Sequence, residues 1–349
     1  MLKLLIITPG FALNEEDDIC IPALQIYLKE LTKTIRRIEV NVISFNYPYE
    51  SKIYLWNGIE VVALGLKQNN KLLRFFHKLI AYPRILNLAK DFQPDLIHSF
   101  WLNQSAIIGN RLSKRLRIPH LCTAMGQDIA FSNTLDILKL RNTAYIAVSD
   151  FQRRFSKVPI DAVVHWGIPP SNQELTPCTR DIDILGVGWI NKVKNYEAFI
   201  RIVARLIHIK PKTKVVITGD GSGKEKLEKL IRSLNLEDQI TFTGLIKREE
   251  VLTYMRRSKV LLHTSSFESF GLVIAEALSE GMFTLSYNVG IAGKSPASHV
   301  AHNEDEMLDK AQKLLSSPLP NASLPYPVSS TVTEYVKIYE KMLNRSILT

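Results

Sequence analysis

The chain is expected to fold as two doubly wound α/β domains, each a parallel sheet covered by helices on both faces. Three observations carry that expectation. Apolar runs of strand length alternate with helical stretches along most of the chain, as buried parallel strands joined by crossover helices do. The alternation breaks at Gly167-Ile168-Pro169-Pro170 and the polar residues up to Arg180, where Pro, Ser, Asn and Thr replace periodic apolar positions. The length of 349 residues matches about two domains of ordinary size.

In the first half the strand candidates are Leu2 to Thr8, Glu39 to Phe45, Gly58 to Leu64, Leu96 to Ser99, Pro119 to Thr123 and Ala144 to Val148. The apolar start is read as a core strand. Pro9-Gly10 interrupts it and the acidic run Glu15-Glu16-Asp17-Asp18 follows, which a secretory signal would not show. A second series comprises Asp183 to Gly188, Thr213 to Thr218, Ile240 to Phe242, Val260 to His263 and Phe283 to Ser286, and an amphipathic helix near Val332 to Leu343 closes the chain. The expected division is a first domain over 1–168, a linker over 169–180, a second domain over 181–330, and a C-terminal helix over 331–349 returning toward the first domain. Two such domains would place a ligand at the carboxyl ends of both sheets, in the cleft between them.

Composition is that of a soluble globular protein, 46% hydrophobic and 22% charged, and no segment is long enough to span a bilayer. Cys20, Cys122 and Cys178 are odd in number and show no metal-like pairing, so they are expected to be reduced, in a cytoplasmic protein. The net charge of +10 comes without a nucleic-acid module or interleaved basic and aromatic residues, so no nucleic-acid partner is expected. Residues 1–165 hold 21 basic against 14 acidic side chains and the remainder 23 against 20, so the excess lies in the first half. Much of it falls in Lys67 to Lys90, where Lys71, Arg74, Lys78, Arg84 and Lys90 alternate with Leu72, Leu73, Phe75, Phe76, Leu79 and Ile80. Such a segment is either the charged outer face of an ordinary helix or a peripheral contact with an anionic bilayer, each basic residue adding about 1 kcal/mol.

The most informative stretch is Ser265 to Gly281. Glu268 and Glu276 stand eight positions apart around a turn that follows the apolar run ending at His263 and opens a helix. A helix start aims free N–H groups and about half a positive charge at what lies in front of it, which suits a diphosphate. A carboxylate there accepts hydrogen bonds from sugar or ribose hydroxyls. Gly186 to Asn195 reads as a strand ending at Gly188, followed by Lys192 and Lys194 at the mouth of a helix, a place where phosphate charge can be neutralised. Val215 to Gly223 runs from a buried strand into a glycine-rich turn through Gly219 and Asp220, a weak signal alone.

Phe267-Glu268-Ser269-Phe270-Gly271-Leu272 with Glu276-Ala277-Leu278 resembles the paired-glutamate phrase of retaining glycosyltransferases of family 4, which have the two-domain GT-B architecture. The resemblance covers the chain in outline and residues 181–290 closely. It implies that Glu268 sits at the transferred sugar and its phosphate, that Phe270, Gly271 and Leu272 present amides to the diphosphate, and that Glu276 holds the ribose hydroxyls. It assigns Lys194 to the diphosphate, with Gly188 beside it, and puts Trp189 where the family carries Arg, leaving Lys192 as the nearest substitute. Gly219, Asp220 and Gly244 fall near the nucleotide, and Gly10 ends the matching first-domain strand on the donor side.

In the first domain, Phe11, Asp18, His98, Gly126 and Asp128 are the acceptor-side candidates. Met125 stands where the family has His, and Lys294 stands near an expected carboxylate. His98 is also readable as a core histidine. Asp181-Ile182-Asp183 precedes a strand where a metal-binding pair would follow one, so no metal and no cofactor beyond the sugar donor are expected. The implied function is transfer of a hexose-type sugar from a UDP- or GDP-linked donor to a carbohydrate or lipid-linked hydroxyl acceptor. A catalytically silent GT-B protein acting as a sugar-nucleotide sensor or assembly partner is the alternative.

Overall fold

The computed structural model describes residues 1–66, 71–131, 140–170 and 179–347, with side chains for all but 71–80 and 131. The chain divides into two units, Met1–Gly167 with Val328–Thr349, and Ile168–Pro327. Most of the expected linker, with Cys178, lies outside the described residues.

The first unit runs β1 (Leu2–Gly10), α1 (Pro22–Thr34), β2 (Ile38–Tyr47), β3 (Lys52–Trp56), β4 (Ile59–Ala63), α2 (Lys71–Phe92), β5 (Leu96–Phe100), α3 (Gln104–Leu116), β6 (His120–Thr123), α4 (Asp128–Phe131), β7 (Thr143–Ala147), α5 (Asp150–Arg154) and β8 (Ala162–Val163). Its eight strands lie in the order β3-β4-β2-β1-β5-β6-β7-β8. Strand β1 is a near-continuous apolar run and β5 is buried along its whole length, as strands covered by helices on both faces are. Pro22 opens α1, where its missing N–H costs nothing, and Asn103 and Ser149 cap α3 and α5 through their side chains.

The sheet departs from the all-parallel expectation at one edge, where β3 pairs antiparallel with β4. Asn57-Gly58 turns that hairpin with positive φ at both residues, 46° and 77°, the geometry a two-residue hairpin requires. In α2 the described half buries Ala81, Ile85, Ala89 and Phe92 in the core, so that apolar stripe is occupied within the fold. Residues 67–70 and the side chains of 71–80, where the membrane reading of Lys67 to Lys90 mainly rests, lie outside the described residues.

The second unit runs β9 (Ile182–Val187), α6 (Tyr196–Ile209), β10 (Val215–Thr218), α7 (Lys224–Ser233), β11 (Ile240–Gly244), α8 (Arg248–Arg256), β12 (Ser258–His263), α9 (Leu272–Ser279), β13 (Phe283–Ser286), β14 (Ser298–Val300) and α10 (Glu304–Leu315). Its strands lie in the order β11-β10-β9-β12-β13-β14, every pairing parallel. The chain steps outward from β9 through β10 to β11, then returns to the other side of β9 as β12. Such a reversal opens a crevice at the carboxyl ends of β9 and β12.

Helix α11 (Val328–Leu343) belongs to the first unit and packs on α1. Tyr335 and Tyr339 are fully buried there in a polar network. The Tyr339 hydroxyl lies 2.7 Å from the Tyr27 hydroxyl and 2.7 Å from His98 Nδ1, while Thr123 Oγ1 is 2.8 Å from His98 Nε2 and 2.9 Å from the Tyr335 hydroxyl. Deleting one member leaves a buried partner unsatisfied, which costs about 1–3 kcal/mol. Tyr339→Phe is therefore expected to lower unfolding free energy by about that amount in urea titrations followed by circular dichroism. An unchanged midpoint would show that the network adds nothing to stability.

Candidate active site

The loop after β9 carries Gly188 to Asn195, the loop after β12 carries Thr264 to Gly271, and both leave the sheet at the reversal point. Three glycine turns close together around it. Gly188 donates its amide to the Thr218 carbonyl at 3.0 Å, Gly219 to the Gly244 carbonyl at 2.9 Å, and Ile190 to the Asp220 carbonyl at 2.8 Å. Gly219 has φ 135°, and a Cβ there would stand 2.0 Å from the Gly188 carbonyl oxygen, so only glycine lets these turns touch. Asp220 spends Oδ1 on the amide of Gly221 at 2.7 Å.

The loops after β9 and β12 are tied directly. Thr264 Oγ1 donates to the carbonyls of Lys194 and Asn195, each at 3.0 Å, and Ser266 donates its amide to the Val193 carbonyl at 2.8 Å. Lys194 Nζ thereby reaches Glu268 Oε1 at 2.5 Å, and His263 Nε2 meets the same oxygen at 2.9 Å. A carboxylate only accepts, so the proton lies on Nε2 of a neutral imidazole. Glu268 Oε2 has no partner among the described residues. Burial alone would raise the Glu268 carboxyl, but the Lys194 charge and then His263 pull it well below the usual carboxylate range. Burial lowers the His263 pKa, partly opposed by its bond to Glu268.

Glu276 lies about one turn into α9, and Arg248 from the start of α8 grips it, with Nε and a terminal nitrogen each 2.8 Å from Oε1. Burial pushes this carboxyl up and the Arg248 charge pulls it back. Between the two glutamates, Phe270 is buried with its ring edge-on to Tyr326 at 5.2 Å, and its carbonyl accepts the Ile291 amide at 2.9 Å. Gly290 makes that brace possible, since a Cβ there would stand 2.0 Å from the Phe270 oxygen. Gly271 precedes α9 as its N-cap and supplies no side-chain cap to the first amides of the helix. Asn195 begins α6 in the same way.

Lys192 is exposed and, with Asn191, Asn195, Lys226 and Ser266, lines a cavity of about 560 Å³. Trp189 is 53% exposed. Asp181 pairs with Arg257 and Asp183 with Lys259, and no group of three potential metal ligands occurs among the described residues.

Of the first-unit candidates, His98 and Phe11 need correction. His98 is fully buried with both ring nitrogens engaged, because β5 sits at the centre of its sheet beneath α11, so it is a core residue rather than an acceptor contact. Phe11 is also fully buried, edge-on to Trp56 at 4.9 Å. Asp128 is a loop clamp, accepting the amides of Leu102 and Gly126 at 2.6 Å each, and the Gly126 carbonyl accepts from Gln152 at 3.1 Å. In the acidic loop the organising carboxylate is Asp17, which accepts from the amides of Leu13 and Cys20 and the Tyr47 hydroxyl, and Asp18 sits partly buried beside it. Gly10 is buried against Cys20 and Tyr47.

Two site residues were not singled out from sequence. Arg248 opens a helix where the dipole disfavours a cation, which was its available signal. His263 ends an apolar strand five residues before Glu268, a pattern that many core histidines share.

Two α/β units built on largely parallel sheets, shared with solved glycosyltransferases, place the fold in the GT-B class. A family model described as glycosyl transferases group 1 matches residues 170–323, and one described as glycosyl transferase 4-like matches 20–152. The chain belongs to this glycosyltransferase group. It is similar to the phosphatidylinositol N-acetylglucosaminyltransferase gpi3 subunit of Schizosaccharomyces pombe, 25% identical over 277 residues, 77% of this chain and 56% of that protein. It is also similar to the alpha-monoglucosyldiacylglycerol synthase of Streptococcus pneumoniae, 29% identical over 234 residues, 57% of this chain and 53% of that protein. The chain thus spans about half the length of these curated relatives. Anabaena HepE, solved with UDP and glucose, shares the fold at TM-score 0.71 and 16% identity over 98% of this chain and 100% of that one. Sucrose-phosphate synthase of Thermosynechococcus elongatus does so at 0.70 and 16%, over 99% and 97%.

The buried ionisable groups fix a pH response. His98, His120 and His263 are all lowered by burial, His120 to about 3, so below the ordinary 6.5 the unfolded chain takes up protons that the native state refuses. Glu268, depressed from 4.5, adds stability above 4.5 that is lost as pH falls through its folded pKa. Glu276, raised from 4.5, acts with the opposite sign. Asp128, also raised by burial, acts as Glu276 does, and three histidines against two carboxyls predict a urea midpoint that falls from about pH 7 to about pH 5. A midpoint that is flat or rises over that window would contradict the neutral buried histidines.

Proposed function

We propose that the chain is a retaining glycosyltransferase that moves a hexose-type sugar from a UDP- or GDP-linked donor to a hydroxyl of a carbohydrate or lipid-linked acceptor. The observation that carries this reading is the Lys194–Glu268 pair in front of the uncapped starts of α6 and α9. A lysine and two helix dipoles converge where a diphosphate would bring its charge.

In this reading the C1–O bond to the diphosphate breaks, the acceptor oxygen bonds to C1 on the same face, and the acceptor proton passes to the departing diphosphate. Lys194 and the amides of Phe270, Gly271 and Leu272 stabilise the charge that builds on the leaving group, a contribution of about 2.7–4 kcal/mol for a key donor. Glu268 accepts a sugar hydroxyl on Oε2, and Glu276 accepts the ribose hydroxyls. The lysine and helix ends take the part of a divalent ion, so no metal is required. The lipid-acting names of two relatives favour a lipid-linked acceptor. The basic residues of 67–90 would then draw the protein to the inner face of an anionic membrane. Among the described residues no helix is long and apolar enough to cross one. Trp189 in place of Arg is the observation behind the second reading, a silent sensor.

The test incubates purified protein with UDP- and GDP-hexoses and follows nucleoside diphosphate release and the product anomer. Expected are slow release that survives a chelator, weakened donor binding in Glu276→Ala, lowered kcat with near-normal donor affinity in Glu268→Ala, and a roughly 10²-fold loss in Lys194→Ala. Binding without turnover would favour the sensor. Turnover abolished by chelation and restored by Mn²⁺, with Lys194→Ala still active, would overturn the metal-free reading.

A further inference from the structure

We propose that Arg248 is a positioning residue of the donor site, fixing the Glu276 carboxylate through Oε1 so that Oε2 faces the ribose hydroxyls. This deepens the donor-site reading of Glu276 and rests on it. Arg248 Nε and a terminal nitrogen both lie 2.8 Å from the same oxygen, Oε1, and among the described residues the Glu276 carboxylate has no further hydrogen-bond partner. The side chains are 24% and 13% exposed, so water screens the pair only weakly. Arginine–carboxylate pairs are frequently bidentate, spanning both oxygens. Here one oxygen is left without a partner on a largely buried carboxylate eight residues beyond Glu268.

The surroundings make Arg248 the cation on which Glu276 depends. Burial and the charge of Glu280, one turn further along α9, both disfavour the ionised carboxyl. Glu280 is itself paired at 3.2 Å with Arg256, at the far end of α8. Strand β13, packed against α9, brings Phe283, Thr284, Leu285 and Ser286, none of them charged. Removing Arg248 would leave a buried carboxyl without its cation, one that takes up a proton more readily and accepts ribose hydroxyls poorly. The defect would therefore depend on pH and concern the nucleoside, not the diphosphate.

The experiment titrates UDP, GDP and inorganic pyrophosphate into wild type, Arg248→Met and Arg248→Lys at about pH 6, 7 and 8.5, spanning the range over which a buried carboxyl titrates. Arg248→Met is expected to lose about ten- to a hundredfold in affinity for whichever nucleotide the wild type binds, most at the lowest pH. Pyrophosphate affinity should stay within about twofold and Arg248→Lys should recover most of the loss. An equal loss for pyrophosphate and nucleotide, a loss independent of pH, or no loss would each overturn the positioning role. Should Arg248→Met fail to fold, Arg248→Gln is read by the same criteria. A folded wild type that binds neither nucleotide overturns the donor-site reading itself, and this is known before any variant is compared.

Discussion

The second unit is organised around one contact, the Lys194 ammonium on Oε1 of Glu268. A part-buried carboxylate without a cation would be driven to protonate, and a part-buried ammonium without an anion would be driven to lose its proton. Each makes the other tenable, with His263 supplying the remaining hydrogen bond. The pair also explains the attachments around it. Thr264 and Ser266 tie the β12 loop to the β9 loop so that two side chains 74 positions apart in sequence meet at 2.5 Å. A pair held this way is complete without ligand yet leaves Oε2 and two uncapped helix starts for one.

The glycines serve the same purpose at the level of the backbone. Gly219 lets the second turn press on the first, and Gly290 lets the segment after β13 buttress the carbonyl of Phe270. The loop between the two glutamates is thus braced from both sides before any donor arrives, which reduces the reorganisation that binding must overcome. Arg248 and Glu276 stand at the other end of the same loop and helix, so the site consists of two charge pairs spaced by a rigid turn.

Much of this was legible in the chain. Eleven strand candidates correspond to observed strands because buried parallel strands write themselves as unbroken apolar runs. The strands that escaped are those without such a run. Lys52–Trp56 lies on a sheet edge with exposed Ile53 and Leu55, and its signal was the Asn57-Gly58 turn rather than its own pattern. Ala162–Val163 and Ser298–Val300 are too short to show periodicity. In the site, the residues read from local phrases lie around one crevice edge, whereas His263 and Arg248 acquire meaning only through partners brought in by the fold. His98 and Phe11 misled for the same reason, since nothing local announces that α11 or Trp56 will cover them.

The most direct measurement is a crystal structure of the protein soaked with the nucleoside diphosphate it binds. The proposed site predicts the diphosphate within ion-pair distance of Lys194 Nζ at the starts of α6 and α9, with the ribose hydroxyls on Oε2 of Glu276. A diphosphate bound elsewhere, with Lys194 still closed on Glu268 and Glu276 touching only Arg248, would contradict it.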